Sequence, residues 1–314
     1  MQAIRVGAFG GPEVLTLVEV PDPVAGPGQV LVRLRSAGVN PYETYIRSGG
    51  YARLPELPYI PGADGAGEVV ACGPGVDGYS AGQRVYVAGA PTYAQLVAAP
   101  VEAVWPLPAA LSFEQGAAVG VPYRTAYLAL HLVAHARPGE RVLVRGGSGG
   151  VGIAAIQIAA AHGCDVVATA GTAEGRALVT GQGARAAAGH GDADELARLA
   201  GGQGFDVIVE MLANVNLDSD LQLLANRGRV AVVGSRGTVT IDPRQIMARS
   251  AAVLGVMDMT PAEHRQIHQA LGAGLGNASL VPVVGPRFPL ADAASAHVAV
   301  MSAGARGKVV LNVP

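Results

Sequence analysis

Arg141-Val142-Leu143-Val144-Arg145-Gly146-Gly147-Ser148-Gly149-Gly150-Val151-Gly152 is the stretch that decides the fold. An apolar, β-prone run opens it, and an Ala- and Ile-rich run of helical length, residues 151–162, follows. Between them Gly147, Gly149 and Gly152 complete G-x-G-x-x-G. A glycine-rich chain makes that pattern by chance, so the context carries the reading: strand before, helix after. Gly147 is expected to allow a tight turn, Gly149 to let the backbone approach a pyrophosphate, and Gly152 to let helix and strand pack closely. The helix start would turn unpaired N–H groups and a partial positive charge toward phosphates, with Ser148, Gly150 and Val151 in the same loop. Residues 146–150 also spell G-x-S-x-G, the elbow that presents a nucleophilic serine in α/β-hydrolases. That alternative needs a downstream acid and a histidine as partners of Ser148, for which Asp206 and His297 are candidates, and it leaves Gly152 and the N-terminal β-rich region without a role.

Downstream, apolar strand candidates at 165–170, 206–211, 229–234 and 251–257 join the first at 141–145. Helical runs such as 151–162 and 192–200 separate them. Near-continuous apolar strands alternating with helices predict a parallel, doubly wound sheet covered on both faces. Upstream, residues 1–120 differ in texture, with short β-prone runs at 30–34, 67–71 and 84–87 broken by turn clusters such as Pro21-Asp22-Pro23 and Gly73-Pro74-Gly75. These predict a small β-barrel or sandwich. A helix over 262–271 and a closing strand over 308–313 return to it. The expected division is therefore 1–120 with 258–314, and a nucleotide-binding insert over 121–257.

The turn after the second strand bears on the choice of nicotinamide. A carboxylate there would hold a ribose 2′-OH. Here the strand runs into Ala170-Gly171-Thr172, and Glu174 comes four residues beyond Ala170. An uncharged pocket at Gly171 and Thr172 suits a 2′-phosphate, hence NADPH. Arg176 either meets that phosphate or is an ordinary solvated helix charge.

Composition narrows the rest. Half of the 314 residues are hydrophobic, 15% are charged and net charge is −2, which fits a packed core and argues against a nucleic-acid surface. Lys308, the only lysine, is followed by Val309 and preceded four residues earlier by Gly304, so neither a P-loop nor a Tyr-x-x-x-Lys site can be built. Two cysteines, Cys72 and Cys164, supply no disulfide framework and no four-cysteine zinc site. They suit a reducing, cytoplasmic compartment. The start of the chain reads as a strand and no apolar run reaches bilayer length, so no membrane role is expected.

Several segments together resemble the zeta-crystallin-like quinone reductases of the medium-chain dehydrogenase/reductase superfamily. They are Asn40-Pro41-Tyr42-Glu43-Thr44-Tyr45-Ile46-Arg47-Ser48-Gly49, the Pro58–Gly67 segment PYIPGADGAG, Glu210-Met211-Leu212-Ala213-Asn214-Val215-Asn216-Leu217, and Val233-Gly234-Ser235-Arg236-Gly237. The last two are the most specific, and the resemblance spans essentially the whole chain. It implies a GroES-like β-barrel catalytic domain beside a Rossmann domain, reduction of quinones by direct hydride transfer from NADPH, and a homodimer or homotetramer. It also implies an NADPH site lined by Tyr45, Ser148 to Val151, Gly171, His190, Asn216, Val233, Gly234, Ser235, Arg236, Val256, Met257 and Asp258. Met257 and Asp258 depart from the family's sequence, which leaves their contacts open. Gly147 stands where many relatives have Ala, a departure expected to matter little.

Zinc-dependent members of the superfamily use a Cys and a Gly-His-Glu segment, whose places here resemble Asn40 and Gly62-Ala63-Asp64. No metal site is expected. His131 with His135 and His264 with His268 have helical i, i+4 spacing but lack a third ligand, so packing or surface roles are expected. Without a metal to stabilise an alkoxide, electrophilic acceptors such as quinones are favoured. Asn40 and Tyr45 are the candidates to hydrogen-bond the acceptor oxygen, with Tyr51 and Tyr59 as packing or cleft residues. An enone or enoyl reductase of the same fold, and a non-enzymatic, RNA-binding crystallin-like protein, are the alternatives.

Overall fold

A computed structural model describes residues 1–314 except Ala305. The chain forms two compact units, Met1–Val121 with Gly272–Gly276 and Val281–Pro314, and Pro122–Leu271 with Asn277–Leu280.

The first unit holds a hairpin of β1 (Gln2–Val6) and β2 (Leu15–Glu19), then β3 (Gln29–Gly38), β4 (Asp64–Cys72), β5 (Arg84–Ala88), β6 (Leu96–Pro100) and β7 (Val104–Pro106). Strand β3 shows why it folds this way. Val30, Val32 and Leu34 are fully buried while Arg33 and Arg35 face out, the alternation of a sheet with one wet face. The inward residues join Ile4, Val6, Val85, Val87 and Leu311 in one core. A short helix, Pro41–Arg47, follows β3.

The second unit contains β8 (Arg141–Val144), β9 (Asp165–Thr169), β10 (Ala186–Ala188), β11 (Phe205–Glu210), β12 (Leu224–Val232) and β13 (Ala252–Gly255). Their order across the sheet is β10-β9-β8-β11-β12-β13, and every neighbouring pair is parallel. This is the doubly wound order 3-2-1-4-5-6, whose direction reverses beside the first strand. Val142, Leu143, Val144, Val207, Ile208 and Val209 are fully buried, as strands covered on both faces must be. Helix Gly150–Ala161 is apolar nearly all round and is buried from Gly152 to Ala159. Its one polar core residue, Gln157, accepts a hydrogen bond from Tyr123 Oη at 2.8 Å.

The chain then returns to the first unit with β14 (Val284–Pro289) and β15 (Lys308–Asn312), completing a seven-stranded sheet in the order β14-β15-β3-β4-β5-β7, with β6 on β3. Three features differ from the sequence reading. Strand β10 is three alanines with no β preference of their own, ordered by pairing with β9. Strand β12 starts at Leu224, five residues before the expected 229, because Leu224 already pairs with Phe205. The helix expected over 262–271 spans Pro261–Gly276, and up to Leu271 it groups with the second unit, so the division falls later than 257. Ile267 and Leu271 are fully buried there. Among the described residues no helix is long and apolar enough to cross a membrane.

Candidate functional site

The glycine loop starts where β8 ends. Gly146, with φ +65°, makes the sharp turn that the sequence reading gave to Gly147. Gly147 is instead a packing glycine, where a Cβ would lie 2.9 Å from Ala168 Cβ and 3.0 Å from Val179 Cγ1. Its N–H donates to the Thr169 carbonyl at 2.7 Å, and Gly146 N–H donates to Thr169 Oγ1 at 3.1 Å, tying the loop to the end of β9. Gly152 is close-packed as expected, since a Cβ would collide with the carbonyl oxygen of Gly146 and lie 2.7 Å from Gly147 Cα. Gly149 caps the helix in extended conformation without any side-chain cap, and a Cβ there would meet only the Gly146 oxygen at 3.8 Å. The first-turn N–H groups, which have no intrahelical acceptor, therefore lie beside open space at a positive helix end. That cradle fits a phosphate.

The other candidates for the cofactor follow the carboxyl ends of the remaining parallel strands. After β9, Gly171 is exposed and Thr172 caps helix Ala173–Gly181 by accepting Gly175 N–H at 3.0 Å. Arg176, half-buried on that helix, makes no ion pair with any described residue. After β10, His190 Nδ1 lies 3.0 Å from Thr169 Oγ1, and desolvation together with the Arg145 guanidinium holds the imidazole below its usual pKa. After β11, Asn216 donates from Nδ2 to Glu210 Oε1 at 3.1 Å. After β12, Val233 and Gly234 run into Ser235 and Arg236, and Arg236 N–H donates to Asn214 Oδ1 at 2.8 Å. After β13, Val256 is buried, whereas Met257 and Asp258 are exposed. In open sheets of this type the crevice at the carboxyl ends, beside the reversal point, is where ligands bind.

The hydrolase alternative does not assemble. Asp206 stands at the amino end of β11, where it accepts Arg141 N–H at 2.8 Å, whereas Ser148 follows the carboxyl end of the neighbouring, parallel β8. His297 belongs to the first unit, where its Nε2 lies 3.2 Å from Tyr93 Oη.

The first unit buries a connected polar cluster that sequence reasoning did not foresee. Lys308 Nζ donates to Asp64 Oδ2 at 2.7 Å and to Asn40 Oδ1. Asn40 Nδ2 donates to Asp64 Oδ2 at 3.0 Å and to Glu43 Oε1 at 3.1 Å. Glu43 Oε2 accepts the Asn40 N–H at 3.0 Å, a capping box at the start of the helix, and the Tyr93 hydroxyl at 2.7 Å. Burial pushes the Glu43 carboxyl up to about 7, against the opposing pull of Lys308. Burial likewise lowers His297 to about 4, with Arg47 contributing. Both amide hydrogens of Asn40 and its oxygen are thus engaged inside the protein. This corrects the expectation that Asn40 offers an amide to an acceptor oxygen. Tyr45, half-buried on the same helix, has a hydroxyl with no hydrogen bond to any described residue. Tyr51 packs against Tyr42 with ring centroids 5.8 Å apart, and the Tyr59 hydroxyl is buried.

The histidines pack as rings. His131 contacts His162 and Tyr127 at 4.6 Å each, and His264 contacts His268 at 4.5 Å. Among the described residues no group of three or more His, Cys, Asp or Glu is arranged to hold a metal ion.

Residues 26–109 match the family described as "Alcohol dehydrogenase GroES-like domain", and residues 150–272 match "Zinc-binding dehydrogenase". A rat quinone oxidoreductase is 48% identical over 324 residues, covering 99% of this chain and 97% of that protein. Among solved structures, one titled as an NAD-dependent alcohol dehydrogenase superposes with TM-score 0.93 at 32% identity, over 100% of both chains. The quinone oxidoreductase of Thermus thermophilus, solved also as its complex with NADPH, gives TM-score 0.85 at 36% identity over 99% of this chain and 100% of that one. With a GroES-like unit, a Rossmann-type unit and near-complete coverage at this identity, the chain belongs to the quinone oxidoreductase (zeta-crystallin) family of the medium-chain dehydrogenase/reductase superfamily.

Proposed function

We propose that this chain reduces quinones with NADPH, by direct hydride transfer and without zinc. The observation that carries the reading is the glycine loop on a capless helix start, followed at the next strand end by the uncharged turn Ala170-Gly171-Thr172. The identity to curated quinone oxidoreductases and the NADPH complex of the Thermus protein support it. A bound reduced nicotinamide supplies the hydride. The chain's own part is to grip the phosphates with the first-turn N–H groups of helix Gly150–Ala161 and to leave room for a 2′-phosphate at Gly171 and Thr172. His190, Asn216, Val233–Arg236 and Val256–Asp258 line the same crevice in this reading. Tyr45 turns its free hydroxyl to the acceptor oxygen, and Asn40 acts behind it by fixing the start of the helix that carries Tyr45. A quinone spreads incoming charge over two oxygens, so no metal is needed to hold an alkoxide.

The reading extends to assembly and compartment. Among the described residues strand β13 pairs only with β12, Val253 on it is 37% exposed, and Met247 before it and Met257 after it in the sequence are 76% and 67% exposed. An apolar edge of this sort invites pairing, here with a second copy, giving a homodimer or homotetramer. Free Cys72 and Cys164 suit a reducing cytoplasm. The test is steady-state turnover with NADPH and NADH against ortho-quinones, para-quinones and enones, before and after chelation, with the mass in solution from light scattering. NADPH-dependent quinone turnover that survives chelation is expected. Activity lost together with stoichiometric zinc, turnover of enones alone, or a monomer at micromolar concentration would each remove the corresponding part.

A further inference from the structure

Behind the glycine loop the second unit buries one cation against two carboxyl groups. Arg145, the residue before Gly146, donates from Nε to Asp220 Oδ1 at 2.8 Å and lies 2.7 Å from it through Nη2. Nη2 also reaches Ser219 Oγ at 3.3 Å, and Nη1 donates to the backbone carbonyl of His190 at 3.0 Å. Glu210 Oε2 stands 3.9 Å from Arg145 Nε, while its Oε1 accepts Asn216 Nδ2 at 3.1 Å and the Leu212 N–H. The side chains of Arg145, Glu210 and Asp220 are 4%, 0% and 0% exposed, so solvent does not screen them.

Glu210 Oε2 and Asp220 Oδ1 lie 3.9 and 2.8 Å from the same Arg145 Nε, so one buried cation faces two buried carboxyl groups. Glu210 Oε2 and Asp220 Oδ2 are also buried without a hydrogen-bond donor among the described residues. One proton held between them meets both needs and brings the net charge of the trio to zero. We propose that Asp220, as a carboxyl sharing one proton with Glu210, is a positioning residue for the nicotinamide cofactor: through Arg145 it fixes the backbone at His190, and through Glu210 the amide of Asn216. The inference rests on the cofactor reading above, because His190 and Asn216 are site residues only within it.

Burial raises the Asp220 carboxyl to about 8, with Glu210 adding to the shift and Arg145 opposing it. Above that pH the proton leaves to solvent and two adjacent carboxylates face a single guanidinium. The incoming phosphates, arriving at the loop next to Arg145, favour the protonated form for the same electrostatic reason. The other charged groups on packed elements are engaged elsewhere. Glu195 pairs with Arg198, Arg229 with Glu140, and Arg249 with the carbonyls of Gln222 and Leu224. Asp206 accepts Arg141 N–H, Asp218 accepts Gln245 Nε2, and Asp194, Arg227 and Arg244 are exposed.

The experiment is fluorescence titration of NADPH onto the full chain from pH 7 to 9, for wild type, Asp220→Asn and Asp220→Ala. The asparagine amide can accept from Arg145 and donate to Glu210, reproducing the protonated carboxyl without an ionisation. Wild type should bind about tenfold more weakly at pH 9 than at pH 7, the factor that one ionisation near 8 produces one pH unit above it. Asp220→Asn should match wild type at pH 7 within about threefold and stay flat to pH 9, while Asp220→Ala binds about tenfold more weakly throughout. The infrared difference spectrum, wild type minus Asp220→Asn, should show one protonated-carboxyl band beyond that of Glu43, which both proteins share. A wild-type affinity independent of pH, or an Asp220→Asn profile that follows wild type, overturns the proposal alone. Failure of wild type to bind NADPH at pH 7 overturns the functional reading and takes the proposal with it.

Discussion

Gly171 is the residue on which cofactor choice turns. It is exposed at the end of the second strand, and a Cβ there would stand 3.3 Å from the His190 ring. An aspartate would bring a negative charge where a 2′-phosphate is expected and an acceptor where a 2′-OH would lie. Gly171→Asp should therefore raise the Kd for NADPH by roughly one to two powers of ten and change NADH binding much less, since a charge-assisted phosphate contact contributes about 1.5–3 kcal/mol. Titration of both nucleotides at fixed salt checks this, and equal losses would count against the NADPH assignment. Glu43 allows a different test. Its carboxyl titrates near 7 in the folded chain because burial disfavours the charge. Between the usual glutamate range and 7 the folded state holds the extra proton, so stability falls as pH rises through that window, by at most about 1.4 kcal/mol per pH unit. Denaturant unfolding should show Glu43→Gln gaining on wild type from pH 5 to 7.5, and a constant gap would refute it. That a glycine loop joins a strand to a helix was legible in the sequence because that pattern is local, although the sharp turn falls at Gly146 and not at Gly147. Arg145 with Asp220, 75 residues apart, and Lys308 with Asp64, 244 apart, were not legible, because only the fold brings such partners together. Asn40 belongs with these in part: one amide hydrogen goes to Glu43 three residues away, but the other goes to Asp64, 24 residues on, and the oxygen is held by Lys308 at the far end of the chain.

Among the elements, the strand–loop–helix unit from β8 to Ala161 distinguishes two kinds of tight packing. A methyl at Gly152 strikes the backbone of Gly146 and Gly147, which cannot move without opening the loop. A methyl at Gly147 strikes the side chains of Ala168, Val179 and Ile156, of which the latter two have some rotamer freedom. Gly152→Ala should cost about 1–3 kcal/mol of stability and weaken cofactor binding, and Gly147→Ala should cost less on both counts. Thermal unfolding and NADPH titration of the two variants decide the order, and a reversed ranking would mean that the loop backbone gives way more readily than the side chains do. The strands of the doubly wound sheet were legible from their apolar runs, with ends displaced by one to a few residues. Strand β10 was not, because Ala186-Ala187-Ala188 becomes a strand through its neighbour and not through its own preference.

Over the whole molecule, the change of texture in the sequence corresponds to two units, each with its own sheet. The point at which the chain returns to the first unit was harder to place, since helix Pro261–Gly276 carries buried apolar residues as far as Leu275 and no composition break marks its middle. Charge is distributed unevenly by type: 22 basic side chains include a single lysine, and that one is 4% exposed and locked to Asp64 and Asn40. The amine of Met1 is likewise held, by Asp22 at 2.9 Å, and its hydrogen bond to Asp22, ahead of the pull of Glu19, keeps its pKa above the ordinary value. The folded chain should therefore be nearly silent to amine-directed reagents. A succinimidyl dye at neutral pH should add slowly to the native protein and much faster once denaturant exposes Lys308 and Met1, with mass spectrometry counting the labels. Rapid native modification of Lys308 would mean that its enclosure opens readily. If the count holds, surface coupling and immobilisation must use thiols or carboxyls, and the one buried amine becomes a built-in reporter of unfolding.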